Sequence, residues 1–286
     1  MKMYAADCDQ QPTVVIVSIS GGKDSQAMGN WLMANREPNV EYIALHADVG
    51  KWEWKHSLLF SKQLAEQWGI PIVVVKPKLE LHDQVLRRMA TRPDVPPFPS
   101  SAARYCTSDS KRTPTDIFIR NQYFHGEKIF VAMGLRAEES PARAKREALS
   151  IRKSVGGTTK RQSYDWLPIH GWSVSRVWQN IGYSMDDLAW HVNETGKLLR
   201  QGFPLGQIAS DLAFKAHPAY LLGNERMSCV FCVLASKNDL RNGLLAEPEL
   251  AEEIAQIEDR SGFKFRQDFS IRDELNALVP RQQVLL

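Results

Sequence analysis

The stretch Thr13-Val14-Val15-Ile16-Val17-Ser18-Ile19, followed without a break by Ser20-Gly21-Gly22-Lys23-Asp24-Ser25, decides how the rest of the chain is read. A nearly continuous apolar and β-branched run is what a strand shows when both of its faces are covered, which predicts a central strand of a parallel sheet. Residues 26–35 carry a helical pattern, so the polar hexapeptide sits at a strand-to-helix junction. Two glycines there let main-chain amides approach a ligand, and the helix end adds unpaired N–H groups and the positive end of its dipole. Lys23 contributes a point charge and Ser20 and Ser25 contribute donors. The set reads as a phosphate cradle, with Lys23 and Asp24 expected on an exposed, ligand-facing loop. It differs from the loop of kinases and GTPases, which needs GxxxxGK followed by Ser or Thr, because here the lysine follows Gly-Gly at once. A plain polar turn is the competing reading; the position at a first crossover, where open α/β sheets bind ligands, argues against it.

Working outward, apolar runs at 40–46 and 70–76 predict two more strands, and the spacing over 54–68 suits an amphipathic helix between them. Residues 81–89 read as helix, residues 92–101 hold four prolines that break regular structure, and helix 113–122 precedes a strand at 128–133. Strand and helix in alternation argue for an α/β fold with a doubly wound, mainly parallel sheet, since parallel neighbours need helical crossovers. After Arg136 the texture changes. Residues 141–161 hold seven Lys or Arg (Arg143, Lys145, Arg146, Arg152, Lys153, Lys160, Arg161) against one acid, Glu147, together with Gly156-Gly157. They predict a mobile basic loop, either a solvated charge run or a track for the phosphates of a nucleic acid or nucleotide. Ser173 is placed to cap a helix, and 248–257 reads as helix with Gly262 past its end. The expected organisation is a nucleotide-binding α/β core over residues 1–136 and a basic loop with a helical C-terminal extension over 137–286.

Composition sets the outer bounds. With 286 residues, 43% apolar and 24% charged, disorder and collagen-like architecture are excluded. No window approaches the roughly 18 apolar residues of a membrane span, and the first eleven residues carry acids where a signal peptide would have an apolar core. A cytoplasmic protein with no membrane partner is expected. The net charge of +3 is too small to establish a polyanionic partner by itself. Four cysteines (Cys8, Cys106, Cys229, Cys232) are too few for a secreted disulfide framework in a chain of this length. Cys229 and Cys232 form a CxxC pair, which serves zinc, iron–sulfur clusters and dithiol chemistry equally well. Cys8 lies in the N-terminal tail and reads as incidental.

The hexapeptide matches the SGGxDS signature of the PP-loop ATP pyrophosphatase superfamily, and the chain resembles that superfamily in four further elements. His46-Ala47-Asp48 with Trp52-Glu53 is similar to the HxDTGxE element of the phosphoadenosine phosphosulfate reductase-like branch, with Val49 where threonine is usual. Arg104-Tyr105-Cys106-Thr107, with Lys111 and Arg112 nearby, resembles its RWCT segment, and Gly134-Leu135-Arg136-Ala137-Glu138-Glu139-Ser140 its GxRxxES loop. Pro168-Ile169 through Trp172-Ser173 and Val177-Trp178 resembles a PIxxWSxxxVW element. The resemblance implies that Ser20, Gly21, Gly22, Lys23, Asp24 and Ser25 hold the phosphates of ATP with Mg2+. It implies that His46, Asp48 and Gly134 belong to the same nucleotide site, and that Lys23, Asp24 and Arg136 take part in the chemistry. It also implies that Cys106, Cys229 and Cys232 converge on one metal centre: a 4Fe-4S cluster, or zinc with His217 as a fourth ligand. Buried free thiols are the remaining reading of the three cysteines.

The activity implied is an ATP pyrophosphatase that adenylates a substrate, with sulfur transfer to a nucleic acid or nucleotide and a sulfur-donor protein as a further partner. The chain is similar in this to the sulfurtransferases of DNA phosphorothioation systems. An adenylyl-sulfate or phosphoadenylyl-sulfate reductase is the alternative enzyme. Such reductases carry a cysteine near the C-terminus, and residues 261–286 contain none. A non-catalytic nucleotide-sensing module is the third reading.

Overall fold

The computed structural model describes residues 12–123, 125–155 and 161–283; Cys8, Gly156, Gly157 and Lys160 lie outside them. Six strands form one sheet in the order β3-β2-β1-β4-β6-β5. β1 (Thr13–Ile19) pairs in parallel with β2 (Val40–Ala47) on one side and β4 (Glu127–Ala132) on the other. β3 (Ile72–Val75) continues the sheet beyond β2, and β6 (Arg161–Trp166) beyond β4, both in parallel. β5 (Leu149–Ile151) closes that edge antiparallel to β6. The crossovers are α1 (Lys23–Ala34), α2 (Ser57–Gln67) and α3 (Leu81–Thr91), then α4 (Tyr105–Thr107), which runs through a π-helical turn at Ser108–Arg112 into α5 (Thr113–Gln122). Because β2 and β3 lie on one side of β1 and β4 on the other, the strand order reverses beside β1. The loop that leaves its carboxyl end faces this crevice, the usual place for a ligand in an open α/β sheet.

Alternation along β1 explains the two layers. Successive side chains of a strand point to opposite faces. Val15, Val17 and Ile19 pack with Met28 and Leu32 of α1 and Leu64 of α2, whereas Val14 and Ile16 pack with Ile119 of α5. The sheet is thus doubly wound, as the sequence predicts.

The sheet does not end where the first unit was expected to end. Beyond β4 come a single helical turn, α6 (Pro141–Ala144), the β5–β6 hairpin that belongs to the same sheet, and α7 (Val174–Ile181), capped by the Ser173 hydroxyl. The segment expected as a mobile basic loop is, in its described residues, largely ordered structure, and the reason is electrostatic. Arg152, 7% exposed, bonds Asp116 of α5 at 2.7 Å and Asp165 of β6 at 2.5 Å, while Arg143 pairs with Glu139. Carboxylates outside the segment, one four residues before Arg143 and two on other elements beside Arg152, satisfy these charges, and a charge count within one segment cannot see them. The remainder is helical: α8 (Met185–Arg200), α9 (Leu205–Asp211), α10 (Lys237–Ala246), α11 (Pro248–Ser261) and α12 (Ile271–Gln283). Leu240, Leu244, Ile254 and Phe265 from this part share one apolar cluster with Trp52, Trp54 and Val85 from the sheet's crossovers. Among the described residues no helix is long and apolar enough to cross a membrane.

Candidate functional site

The phosphate-type loop is more tightly built than its sequence suggests. α1 begins at Lys23, three residues before the expected start, so Lys23, Asp24 and Ser25 form its first turn. Gly22 stands at the cap position in extended conformation and no side chain caps the helix. Gly21 has φ +74°, and a Cβ there would lie 3.1 Å from Met227 Cε, so the turn requires a residue without a side chain. Ser25 ties the loop to itself: its hydroxyl donates to the Gly22 carbonyl at 2.8 Å and accepts the Ser20 N–H at 3.3 Å.

Lys23, expected on an exposed loop, is only 2% exposed. Its Nζ donates to Asp24 Oδ2 at 3.1 Å and to the Glu225 carbonyl at 3.0 Å, and lies 5.5 Å from the centre of the Tyr220 ring. The Tyr220 hydroxyl accepts the Lys23 N–H at 2.9 Å. Segment 220–227, far away in sequence, thereby covers the loop. This is what the sequence reading missed, and nothing in the local pattern of Tyr220, Glu225 or Met227 signals a contact with residues some 200 positions earlier.

Arg136 reaches the same place from the end of β4. Its Nε donates to Asp24 Oδ1 at 2.6 Å, and its Nη1 both to Glu138 at 2.6 Å and to the Trp172 carbonyl at 3.4 Å. Burial works against the cation, but Asp24 and Glu138 outweigh it and hold its pKa above the ordinary guanidinium value. Glu139 accepts the Arg136 N–H and pairs with Arg143 and Arg226. Gly134 has no ligand-facing freedom: a Cβ there would lie 2.7 Å from the carbonyl carbon and oxygen of Asp24. The loop after β4 is therefore seated directly on the first turn of α1.

At the end of β2, His46 is fully buried between the Ser61 hydroxyl at 3.1 Å and Glu53 at 3.0 Å. Asp48 accepts the Gly50 N–H at 2.8 Å and pairs with Lys76 at 2.9 Å. Burial opposes ionisation of Asp48, yet Lys76 and Gly50 together hold its carboxyl below the usual range. Asp48 and Glu53 line a cleft of about 570 Å³ between this loop and α11, bridged by ion pairs Lys51–Glu253 and Lys55–Glu247.

The three cysteines come from two distant segments into one apolar neighbourhood. Cys106 lies on α4, and Cys229 pairs with Glu53 through an isolated antiparallel bridge, with the Val230 N–H donating to the Trp52 carbonyl at 2.8 Å. All three sulfurs pack against the cluster that holds Trp52 and Phe231. Burial pushes the Cys229 thiol up to about 12, with Lys111 pulling the other way and Cys232 and Cys106 adding to the rise. Burial likewise raises Cys106. Among the described residues, however, no group of three or more His, Cys, Asp or Glu is arranged to hold a metal ion. Burial favours the neutral thiols of Cys106 and Cys229, which pack with Cys232 against the apolar cluster as small apolar groups. The donor chemistry, three soft sulfurs with Lys111 beside them, suits an iron–sulfur or zinc centre; the chain alone does not assemble one. His217 is engaged elsewhere: Nδ1 accepts the Ala219 N–H at 3.2 Å and Nε2 donates to the Lys55 carbonyl at 3.3 Å. Burial drives its pKa down to about 4, so the ring is neutral and serves as a helix cap.

The family model described as phosphoadenosine phosphosulfate reductase domain matches residues 14–185, from β1 to the start of α8. A curated relative, an uncharacterized 37.8 kDa protein in the gpa 5′ region of Escherichia phage 186, is 24% identical over 299 residues, covering 90% of this chain and 78% of its own. Among solved structures, the U34-tRNA thiolase NcsA from Methanococcus maripaludis with its [4Fe-4S] cluster aligns with a TM-score of 0.37 and 14% identity, over 87% of this chain and 67% of that one.

Proposed function

The chain belongs to the phosphoadenosine phosphosulfate reductase domain family, and from that premise we propose that it is an ATP pyrophosphatase that adenylates a substrate for sulfur transfer to a nucleic acid or nucleotide. One observation carries the reading: Lys23, Asp24 and Arg136 meet at the uncapped start of α1, beside a glycine turn that brings main-chain amides to the crevice. A triphosphate entering there takes the place of the Glu225 carbonyl on Lys23 Nζ. The helix-end amides and Lys23 then stabilise charge as it develops on the leaving pyrophosphate, with Mg2+ brought by the nucleotide. Asp24 holds Lys23 and Arg136 in place, one carboxylate oxygen to each. Cys106, Cys229 and Cys232 would hold a 4Fe-4S cluster, which when bound supplies an iron able to bind sulfur, and a donor protein would deliver that sulfur.

The reductase reading is favoured by the family's own description. A loop whose Lys23 follows two glycines speaks against it. Incubation with labelled ATP separates the readings. Pyrophosphate with AMP, lost in Lys23→Ala, is the expected outcome. Sulfite released from adenylyl sulfate without ATP turnover would replace the proposal by the reductase, and nucleotide binding without any product would leave a sensing module.

A further inference from the structure

A second basic site lies away from the glycine loop. Arg88 of α3, Arg104 and Arg112 line one surface pocket of about 420 Å³, with Tyr105, Thr107, Ser108 and Asp109. Elsewhere in the fold the enclosed arginines answer to carboxylates: Arg136 to Asp24 and Glu138, Arg152 to Asp116 and Asp165. In this pocket none of the three makes an ion pair with the described residues. Asp109, the one acid present, takes its hydrogen bond from the Ser108 hydroxyl at 2.6 Å. Arg88 is fixed by stacking, its guanidinium 5.3 Å from the centre of the Tyr105 ring, and the Tyr105 hydroxyl is anchored on the Pro97 carbonyl at 2.6 Å. The Arg88 Nε is buried and has no hydrogen-bond partner among the described residues. A buried donor without an acceptor is costly, and it leaves this guanidinium without the carboxylate that the other enclosed arginines have.

We infer that this pocket is a phosphate-binding subsite, separate from the glycine loop. Three guanidiniums against one carboxylate fit the charge of a phosphate, and their forked donors fit its oxygens better than ammonium groups would. Thr107 and Ser108 add hydroxyl donors. Cys106, between Tyr105 and Thr107 in the chain, does not line the pocket and packs instead against the apolar cluster behind it. The inference rests on the pocket itself and stands whether or not ATP is cleaved at the glycine loop. The phosphate can arrive free or as part of a strand, and the test distinguishes the two.

The full chain is titrated with a fluorescein-labelled single-stranded decanucleotide by anisotropy, and with inorganic phosphate by ³¹P NMR. Wild type is compared with a double variant, Arg104→Glu with Arg112→Glu, both exposed and not needed for packing. A control pair on α8, Lys197→Glu with Arg200→Glu, carries the same charge change. A strand ligand predicts that the pocket pair weakens decanucleotide binding at least tenfold and the control pair less than twofold. The slope of log K against log salt should fall by about 0.7, the increment for one single-strand phosphate contact. Pocket-dependent binding of inorganic phosphate alone would keep the subsite and assign it to a small anion. Equal loss in both pairs, or no dependence of either ligand on the pocket pair, overturns the inference. Should the charge reversals disturb the fold by circular dichroism, Arg104→Gln with Arg112→Gln gives the same comparison with a smaller expected loss.

Discussion

The glycine loop and the thiol cluster sit close together and are held by opposite means. Around the loop nearly every polar group is committed: Lys23, Asp24, Arg136, Glu138 and Glu139 form a continuous set of hydrogen bonds and ion pairs that joins α1, the loop after β4 and segment 220–227. Around the cysteines there is packing and little else, and the closest hydroxyl partner of Cys106 is Thr107 at 4.0 Å. A network of that kind is preorganised, so its geometry exists before a ligand arrives. A packed group of thiols has no such fixed geometry, and were it to bind a metal, binding and ordering would occur together. The difference teaches that a charged network declares its geometry in the free chain, whereas a group of packed thiols does not.

The largest expected effect breaks or keeps that contrast. After anaerobic reconstitution with iron and sulfide, Cys106→Ser, Cys229→Ser and Cys232→Ser should each lose at least tenfold in bound iron. Their urea midpoints without metal should stay within about 1 kcal/mol of wild type, as expected of sites that make no network. Iron content unchanged in Cys106→Ser would mean that the three thiols do not act together. The converse is expected at the loop. Arg136→Ala removes a cation that is 4% exposed and strands Asp24 beside Lys23, and it should destabilise the fold by about 3–5 kcal/mol with no ligand present. A shift below about 1 kcal/mol would show that the ion pair is not the prop it is described as.

His217 sharpens the comparison through pH. Its pKa falls from 6.5 to about 4 on folding, so between those values the unfolded chain binds a proton that the folded chain refuses. Stability is therefore full above about pH 6.5, declines as pH drops below it and has lost about 3 kcal/mol by pH 4. His217→Asn keeps an acceptor for the Ala219 N–H and should flatten that part of the urea-midpoint profile; an unchanged slope would assign it to other groups. The smallest effect is Gly134→Ala, about 1–3 kcal/mol from the clash with the Asp24 backbone. If thermal melting shows no loss, the contact between the β4 loop and α1 is looser than 2.7 Å implies.

Local pattern made much of this legible. β1 and α5 have the bounds expected from periodicity, and the glycines with Lys23 and Asp24 lie at the predicted junction. What escaped was long-range. Arg152 looks like one more charge in a basic run until Asp116 and Asp165 come beside it, and Tyr220 looks like any aromatic until its hydroxyl meets Lys23. Gly134 stands in a motif that implies a nucleotide contact, and the fold adds a packing reason for glycine there that no local pattern shows. The thiols were brought together by resemblance, and the bare chain supplies their neighbourhood without their ligation.

One short run of backbone ties the contrasting regions to each other. The Glu225 carbonyl is on Lys23, and Cys229, four residues later, is bridged to Glu53. Fully extended, four residues span at most about 14 Å, so the two anchors cannot lie farther apart than that. The family match ends at residue 185, yet the polypeptide that closes the glycine loop comes from beyond it. A truncation at that border would cut away the cover of the loop along with the CxxC pair. A fragment that keeps the glycine loop covered therefore cannot be drawn at the edge of the recognisable domain: it must extend at least through segment 220–227, which brings the Tyr220 hydroxyl and the Glu225 carbonyl to Lys23.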